Sequence, residues 1–443
     1  MILPIGGVGC RDGDLQRQRS GARGDVPITA GSLHFTRSGG KEHAGRAVFT
    51  GSDDVRVLDV AGPTGNRAGR CSIITSVVRF QRYGTGVGVG FGAVVAGIGW
   101  FYSNVLLDTR RRPLYPERIL DAGDGTVTLA RNRLVEQPGI WGLRWSEGLA
   151  VMGPVVEWHD DRIVRALLDG PVPPPGTTAV VDAGPFDPDP GARGLTFTEV
   201  AVATALGPAP AWSVPGDGDT WIVHVHGRGG SRREALRILP ALHELGLHQL
   251  VISYRNDECA PPSPDGHHHL GDTEWEDLEA AVRYARAAGA RRIVLYGWSM
   301  GAAIIGAFLD RSPEAENVAA VVWDAPLLDW RATLRQQARN RRLPAMLTPI
   351  AANITSRRIG IDFDRFTLRI HPPAVRPPTL VIHSTGDTAV PVGPSRDLVA
   401  AAPGLDWPMR YLEVRDVEHT AAWNADPARY EQAVTAFLRE QLG

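Results

Sequence analysis

The sequence predicts an α/β protein with a mostly parallel, doubly wound sheet and helices on both faces. Three observations predict this class. A buried strand, a glycine-rich loop and a helix follow one another from 221 to 234; a strand, a sharp turn and a small-residue helix follow from 293 to 309; and a last strand at 409–414 precedes a capped helix. Strands that alternate with helices are typical of parallel sheets whose faces are both covered.

The sharp turn carries the most informative motif of the chain, Gly-Trp-Ser-Met-Gly at 297–301. It follows the apolar run 293–296 and precedes the helix-like segment 302–309. Side chains would collide in so tight a strand-to-helix turn, so glycines flank the serine and its hydroxyl stands exposed. Ser299 is therefore a candidate nucleophile, the alternative being a serine that only caps the helix.

A glycine-rich loop, His-Gly-Arg-Gly-Gly at 226–230, ends the apolar run 221–225. Such a loop can aim a backbone N–H at an oxygen that acquires negative charge. Ser231 then begins a helix, with Glu234 in the position that completes a capping box. The side chain of Arg228 lies where it could contact a substrate carboxylate or phosphate, or point into solvent.

An acid and a histidine follow the two later strands. Asp387 lies in the loop after the β-like run 379–383, and His419 follows the strand 409–414, ahead of a helix capped by Asp426. The chain order is thus Ser, Asp, His. Asp324, which also ends a strand, is the alternative acid.

Other histidines compete with His419. Three lie in or at the ends of strands, where structural or pocket-lining roles are expected: His224, His226 and His383. The run 267–269 lies in a proline-containing loop, and three adjacent histidines rarely converge on one metal ion. We therefore expect no metal site. Asp257 and Glu258 follow another strand, and we expect a solvated turn there rather than a site for a substrate cation.

This order and these strand-end positions resemble the α/β-hydrolase superfamily, from about residue 196 to 443. The motifs look like those of bacterial esterases, monoglyceride lipases and prolyl-oligopeptidase-type peptidases. The resemblance implies that Ser299 is the nucleophile, His419 its base and Asp387 the acid that orients the imidazole. It also implies an oxyanion hole made by the backbone N–H of Met300 and one from the Gly227–Arg228 loop. No cofactor is required.

The expected activity is hydrolysis of a small-molecule carboxylic ester or acyl substrate through an acyl-serine intermediate. Alternatives are a peptidase of the prolyl-oligopeptidase type, a thioesterase and a catalytically silent, membrane-associated scaffold. The peptidase group often carries a β-propeller, and no repeats of blade length occur here. A cap is expected at about 327–373, where apolar residues could bind an acyl or aryl group.

Composition narrows the possible partners. The chain has 443 residues, long enough for one hydrolase core and additional material, and its formal net charge is −2. No basic stripe with interleaved aromatic residues occurs, so nucleic acid is not an expected partner. The sequence gives no indication of the oligomeric state.

The N-terminal half divides at an uncharged segment. Residues 1–83 lack sustained periodicity and are expected to be poorly ordered. Residues 84–107 contain no charge and are long enough to span a bilayer, although seven glycines also fit a strand or a flexible linker. We expect a single membrane anchor of unknown orientation here, since arginines flank both sides; without an anchor, a cytoplasmic protein is expected. The next methionine after Met1 is Met152, so a start at a non-Met codon near this segment would make it a signal anchor or signal peptide.

Between the apolar segment and the catalytic region, residues 108–192 form a predicted small β-rich module. Strand-like stretches at 127–129, 141–145 and 155–158 are separated by Gly, Asp and Pro. A proline-rich stretch at 171–176 marks a boundary or a stiff connection. The module is expected to pack against the catalytic domain at 193–443 rather than to shape its entrance.

Overall fold

The computed structural model describes residues 44–51, 54–61, 86–110, 115–184 and 187–443. One unit contains an antiparallel hairpin of β1 (Ala44–Gly51) and β2 (Asp54–Ala61). The described residues from Gly86 to Gly443 form a second unit. We predicted all of 1–83 to be poorly ordered, and the hairpin differs from that prediction. The remainder of 1–83 lies outside the described residues.

The uncharged segment is a helix, α1 (Gly86–Leu107). Its C-terminal half packs on a second helix, α6 (Leu347–Ile359), and buries Ser103 and Leu107. The Ser103 hydroxyl accepts hydrogen bonds from the Thr355 hydroxyl at 3.0 Å and from Arg358 Nη1 at 2.9 Å.

The interpretation of 84–107 as a membrane anchor is not supported. Within the part of the chain that the structure describes, no helix has both the length and the apolar character needed to cross a membrane. The apolar side chains at the end of α1 instead pack within the second unit, and Leu107 joins the core beside the eight-stranded sheet described below.

A six-stranded closed barrel follows α1, where the sequence predicted a β-rich module. Its strands pair in the order β3-β4-β7-β6-β5-β8. Their bounds are β3 (Glu117–Gly123), β4 (Thr126–Ala130), β5 (Trp141–Trp145), β6 (Gly148–Trp158), β7 (Arg162–Asp169) and β8 (Thr178–Asp182). Alternating residues of each strand fill the interior, which also contacts Val417 and Ala421 of the catalytic domain.

Arg165 lies fully buried in this barrel and donates to four backbone carbonyls. Its guanidinium group contacts the oxygens of Val135, Gln137, Gly139 and Gly153 at 2.6 to 2.9 Å. Burial lowers the pKa of Arg165 to about 10. One side chain thus fixes the loop between β4 and β5 to the strand β6.

We expect Arg165→Met to lower the free energy of unfolding of the barrel by about 3 kcal/mol or more, since it leaves several buried carbonyls without donors. Arg162→Met, at an exposed position of the same strand, should change it by no more than about 0.5 kcal/mol. Thermal and urea unfolding of both variants check this expectation. Equal stabilities of the two variants would contradict it.

The catalytic domain is built on an eight-stranded sheet in the order β16-β15-β14-β13-β11-β12-β10-β9. The strands β11 to β16 run parallel, while β9 and β10 pair antiparallel at one edge. Their bounds are β9 (Thr198–Thr204), β10 (Gly207–Val214), β11 (Thr220–Val225), β12 (His248–Ile252), β13 (Arg292–Trp298), β14 (Val318–Asp324), β15 (Thr379–Ser384) and β16 (Met409–Val414).

Helices cover both faces of this sheet, as the sequence predicted. One core includes residues of α3 (Trp275–Ala287), α4 (Met300–Arg311) and α7 (Gly393–Ala401), and the other includes residues of α2 (Leu239–His243) and α9 (Pro427–Leu442). Along β13, Ile293 and Leu295 face the first core, whereas Val294 and Tyr296 face the second. Asp426 caps α9 by accepting from the Arg429 N–H, again as predicted.

The cap region holds two helices, α5 (Trp330–Asn340) and α6, followed by a 3-10 turn at Phe363–Phe366. A short helix, α8 (Ala422–Ala425), follows the loop after β16. The parallel strands place their carboxyl ends at one edge of the sheet, and ligands of open α/β sheets bind at that edge.

Candidate active site

Ser299 lies at the strained turn between β13 and α4. Its φ of 52° and ψ of −116° fall outside the regions that a residue with a side chain ordinarily adopts. A Cβ at Gly301 would come within 2.1 Å of the Val225 carbonyl oxygen, and one at Gly297 within 2.6 Å of the Ile305 side chain. The flanking glycines are therefore required by close packing, and backbone strain of this kind clusters at functional sites.

The structure brings Ser299, His419 and Asp387 into one hydrogen-bonded chain. His419 Nε2 lies 2.9 Å from Ser299 Oγ, and His419 Nδ1 lies 2.7 Å from Asp387 Oδ2. Burial by itself lowers the pKa of His419, but the charge of Asp387 and its hydrogen bond raise it above the ordinary value. This geometry allows the imidazole to accept a proton from the serine.

Asp387 is held on three sides. Its Oδ1 accepts from the Ala389 and Val390 N–H groups, both at 2.8 Å. His383 Nε2 lies 3.2 Å from Oδ2, and His383 Nδ1 lies 2.7 Å from Ser395 Oγ. Although burial raises the pKa of Asp387, the charge of His419 and these hydrogen bonds lower it well below the usual range, which keeps the carboxylate ionised.

Asp324, the alternative acid, lies elsewhere in the hydrogen-bond network. The Tyr430 hydroxyl donates to Asp324 Oδ2 at 2.7 Å, and burial raises the pKa of this carboxyl. Its backbone carbonyl accepts from the Ser299 N–H at 3.0 Å. Asp324 therefore supports the turn, whereas the imidazole of His419 contacts Asp387.

Two of the predicted oxyanion donors are the backbone N–H groups of Met300 and Arg228. The structure gives neither of them a hydrogen-bond partner among the described residues. The Gly227 N–H, the other candidate from this loop, instead donates to Glu234 Oε2 at 2.8 Å. Gly227 therefore does not supply the oxyanion donor. The predicted capping box is also wrong, because the Ser231 side chain makes no capping hydrogen bond. The Glu234 carboxylate instead orders the loop through the Gly227 N–H.

The Gly227 carbonyl is fixed by three donors: the Tyr254 hydroxyl at 3.0 Å, the Gly230 N–H at 3.0 Å and His226 Nδ1 at 2.8 Å. The peptide between Gly227 and Arg228 is planar and trans, so its C=O and N–H point in opposite directions. Fixing the Gly227 carbonyl therefore directs the Arg228 N–H away from these donors. The side chains around the Gly227 carbonyl thus orient the second candidate oxyanion donor.

His226 is in turn paired with Asp257, whose Oδ2 lies 2.7 Å from His226 Nε2. Both nitrogens of His226 face acceptor oxygens, so an imidazolium satisfies both contacts. Burial lowers the pKa of His226, but the Asp257 charge and these hydrogen bonds raise it above its ordinary value overall.

The expectation of a solvated turn at Asp257 is wrong, since its carboxylate is largely buried. The strand order could have indicated this pair, because β11 and β12 are parallel neighbours and the residues that follow them lie close together.

We expect Asp257→Asn to lower the kcat of any Ser299-dependent hydrolysis about tenfold to a hundredfold, because a displaced Arg228 N–H would stabilise an oxyanion less well. Glu258→Gln, at the exposed neighbouring position, should keep the wild-type kcat. Steady-state kinetics beside thermal unfolding separate loss of catalysis from loss of fold. A folded Asp257→Asn variant with unchanged kcat would show that this pair does not position the loop.

A cavity of about 300 Å³ opens beside Ser299 and His419. Aliphatic side chains are the most common in its lining, and several of them come from three helices: Val105 and Leu106 of α1, Leu334 of α5, and Leu347 and Ala351 of α6. No carboxylate is among its described lining residues. The cap thus forms an apolar wall as predicted, and α1 adds a wall that the sequence gave no reason to expect.

The helix α5 also holds the loop that carries Asp387. Gln336 Nε2 donates to the Asp387 carbonyl at 3.0 Å, Gln337 Nε2 to the Ala389 carbonyl at 2.8 Å and Asn340 Nδ2 to the Thr388 carbonyl at 2.7 Å. Three side-chain amides on one helix therefore bind three consecutive carbonyls. The cap and the acid loop are joined at this contact.

The histidine run 267–269 makes protein contacts. His267 Nε2 lies 2.9 Å from Arg358 Nη2, and His269 Nε2 lies 3.0 Å from Asp265 Oδ2. In the described part of the chain, no group of three or more His, Cys, Asp or Glu side chains is arranged to hold a metal ion.

Comparisons with known proteins find matches for both the barrel and the catalytic domain. A domain of unknown function, DUF8805, matches residues 118–182, and the prolyl oligopeptidase family matches residues 264–443. The chain is 30% identical over 220 residues to the uncharacterized protein Rv2307c of Mycobacterium tuberculosis, covering 48% of this chain and 68% of that protein.

Two solved structures are also similar to this chain. The esterase Pf2001 of Pyrococcus furiosus shares 18% identity at a TM-score of 0.47, over 58% of this chain and 98% of that one. An esterase/lipase from an uncultured bacterium shares 19% identity at a TM-score of 0.42, over 55% of this chain and 85% of that one.

Proposed function

We propose that this protein, a member of the α/β-hydrolase superfamily in one family with the mycobacterial protein Rv2307c, cleaves carboxylic esters through an acyl-serine intermediate. The observation that carries the proposal is the chain of contacts from Ser299 through His419 to Asp387, opening into an apolar cavity. A serine hydroxyl alone is a weak nucleophile at neutral pH, and this arrangement activates it.

In the proposed reaction, Ser299 Oγ attacks the ester carbonyl while His419 Nε2 takes the hydroxyl proton. Asp387 holds the imidazole in the required tautomer and stabilises the imidazolium. The N–H groups of Met300 and Arg228 bind the oxyanion. The imidazolium then gives its proton to the leaving alcohol, and a water molecule activated by His419 releases the acid and restores the serine.

The cavity supports an apolar acyl group as the part of the substrate next to the serine. Apart from the reacting residues, the described side chains that line the cavity are mainly aliphatic. They favour an apolar group because burial of apolar surface contributes about 25 cal/mol per Å² to binding. Among the described residues that line it, no carboxylate is present to bind the charged amino terminus of a peptide. We therefore place esters ahead of amides.

A peptidase is the second candidate function, because the catalytic half matches the prolyl oligopeptidase family. Peptide bonds would be cleaved by the same residues, with the imidazolium protonating a leaving amine. A thioesterase would use the same acyl-serine chemistry with a thiol as the leaving group.

The test is a substrate panel of p-nitrophenyl butyrate, butyryl thiocholine and aminoacyl p-nitroanilides, assayed with the wild-type protein and Ser299→Ala. We expect the ester to give the highest kcat/KM and all activity to require Ser299. Preferential cleavage of the anilides would replace the esterase proposal with the peptidase. Preference for the thioester would favour a thioesterase.

A further inference from the structure

Two arginines, Arg228 and Arg341, lie at the mouth of the apolar cavity. Both line the same cavity as Ser299 and His419, and both side chains are exposed to solvent. The guanidinium of Arg228 is also crowded by surrounding protein, which lowers its pKa, and the like charge of Arg341 lowers it further. Both cations therefore border the cavity that contains Ser299 and His419.

The charge of this pair is not neutralised within the described residues. The ion pairs among the described residues include neither Arg228 nor Arg341. Arg341 Nη1 donates to the side-chain and backbone oxygens of Gln337 at 2.6 and 3.0 Å, and Gln337 is in turn bonded to the loop after Asp387. Arg341 is thus positioned by a neutral group, with its other guanidinium nitrogens available to a ligand.

We propose that Arg228 and Arg341 bind an anionic group, phosphate or carboxylate, on the alcohol portion of the substrate ester. The lining of the cavity is mostly apolar and takes the acyl chain, while the two exposed cations stand at its mouth, where the alcohol portion would lie. An anion bound by the two guanidinium groups would form charge-assisted hydrogen bonds with both of them. The substrate class is therefore an amphiphilic ester with a neutral acyl chain and an anionic alcohol.

This inference rests on the proposed ester hydrolysis, and its test uses three esters that share one acyl chain. The hexanoyl esters of glycerol, glyceric acid and glycerol 3-phosphate present a neutral, a carboxylate and a phosphate alcohol portion. Release of hexanoic acid is measured for the wild type, Arg341→Gln, Arg228→Gln and Arg339→Gln. Arg339 is an exposed arginine of α5, two residues before Arg341, and it does not line the cavity, so it is the matched control.

We expect the wild type to favour at least one anionic ester over the neutral one by tenfold or more in kcat/KM. Arg341→Gln and Arg228→Gln should each reduce that preference about tenfold or more, chiefly through a higher KM, whereas Arg339→Gln should keep it. Added salt should reduce the preference of the wild type. The comparison of the phosphate and carboxylate esters identifies which anion the pair selects.

Equal kcat/KM for the three esters in the wild type would overturn the inference while leaving ester hydrolysis intact. A preference that survives in both Arg341→Gln and Arg228→Gln would overturn it as well. No Ser299-dependent hydrolysis of any of the three esters would remove the proposed function and this inference together. Protection of Ser299 from a fluorophosphonate by hexyl phosphate, stronger than by hexanol and lost in Arg341→Gln, gives a binding readout that is independent of turnover.

Discussion

Replacement of Ser299 by alanine should lower kcat/KM for p-nitrophenyl butyrate about 10⁴- to 10⁶-fold, the range expected when a serine nucleophile is removed. The variant retains the Cβ and the backbone position, so the strained turn and the cavity should persist. Residual activity would come from the oxyanion donors and binding alone. Steady-state and single-turnover kinetics, with thermal unfolding as the check on folding, measure this effect.

Ser231→Ala is the matched control for this prediction. Ser231 lies beside the loop that carries Arg228, and its hydroxyl makes no capping hydrogen bond. We expect wild-type kinetics from this variant. A Ser299→Ala protein that retains more than about a hundredth of the wild-type rate would contradict a nucleophilic role for Ser299.

Replacement of Asp387 by asparagine should lower kcat about 10⁴-fold, because an amide neither fixes the required tautomer of His419 nor stabilises the imidazolium. It should also change the pH dependence. His419 must be neutral to act as a base, and its pKa is raised in the wild type, so activity should fall as the pH drops through a value above about 6.5. Without the Asp387 charge, this acidic limb should move to lower pH.

The pH profiles of kcat/KM for Asp387→Asn and Asp324→Asn distinguish the two acids. Asp324→Asn removes a buried contact with Tyr430 and should affect stability more than chemistry. It should move the acidic limb less than Asp387→Asn does, because Asp387 raises the pKa of His419 more than Asp324 does. If Asp324→Asn instead caused the larger loss of kcat and shifted the limb, Asp324 would be the acid that acts on His419.

Local sequence signals predicted the parts of the molecule that depend on neighbouring residues. The tight turn at Ser299 is readable because Gly297 and Gly301 are required by contacts within the strand–turn–helix unit and with the adjacent strand. Asp387 and His419 are readable because both follow parallel strands, whose carboxyl ends lie at one edge of the sheet. Their catalytic roles stay a proposal.

Features that depend on contacts between residues distant in the sequence could not be predicted. Closure of the barrel needs the pairing of β3 with β8, and neither strand signals the other in sequence. The hydropathy of 84–107 cannot show that Ser103 meets Thr355 and Arg358 across the fold. Likewise, the pair of His226 and Asp257 becomes visible only when β11 and β12 are known to be neighbours.

The nucleophilic role of Ser299 is tested by labelling the purified wild type and Ser299→Ala with a fluorophosphonate and locating the modified residue by peptide mass. We predict stoichiometric modification of Ser299 in the wild type and none in the variant, because only an activated serine attacks this reagent rapidly. A folded wild-type protein that is not labelled, or that is labelled at another residue while Ser299 stays unmodified, would contradict the nucleophilic role of Ser299.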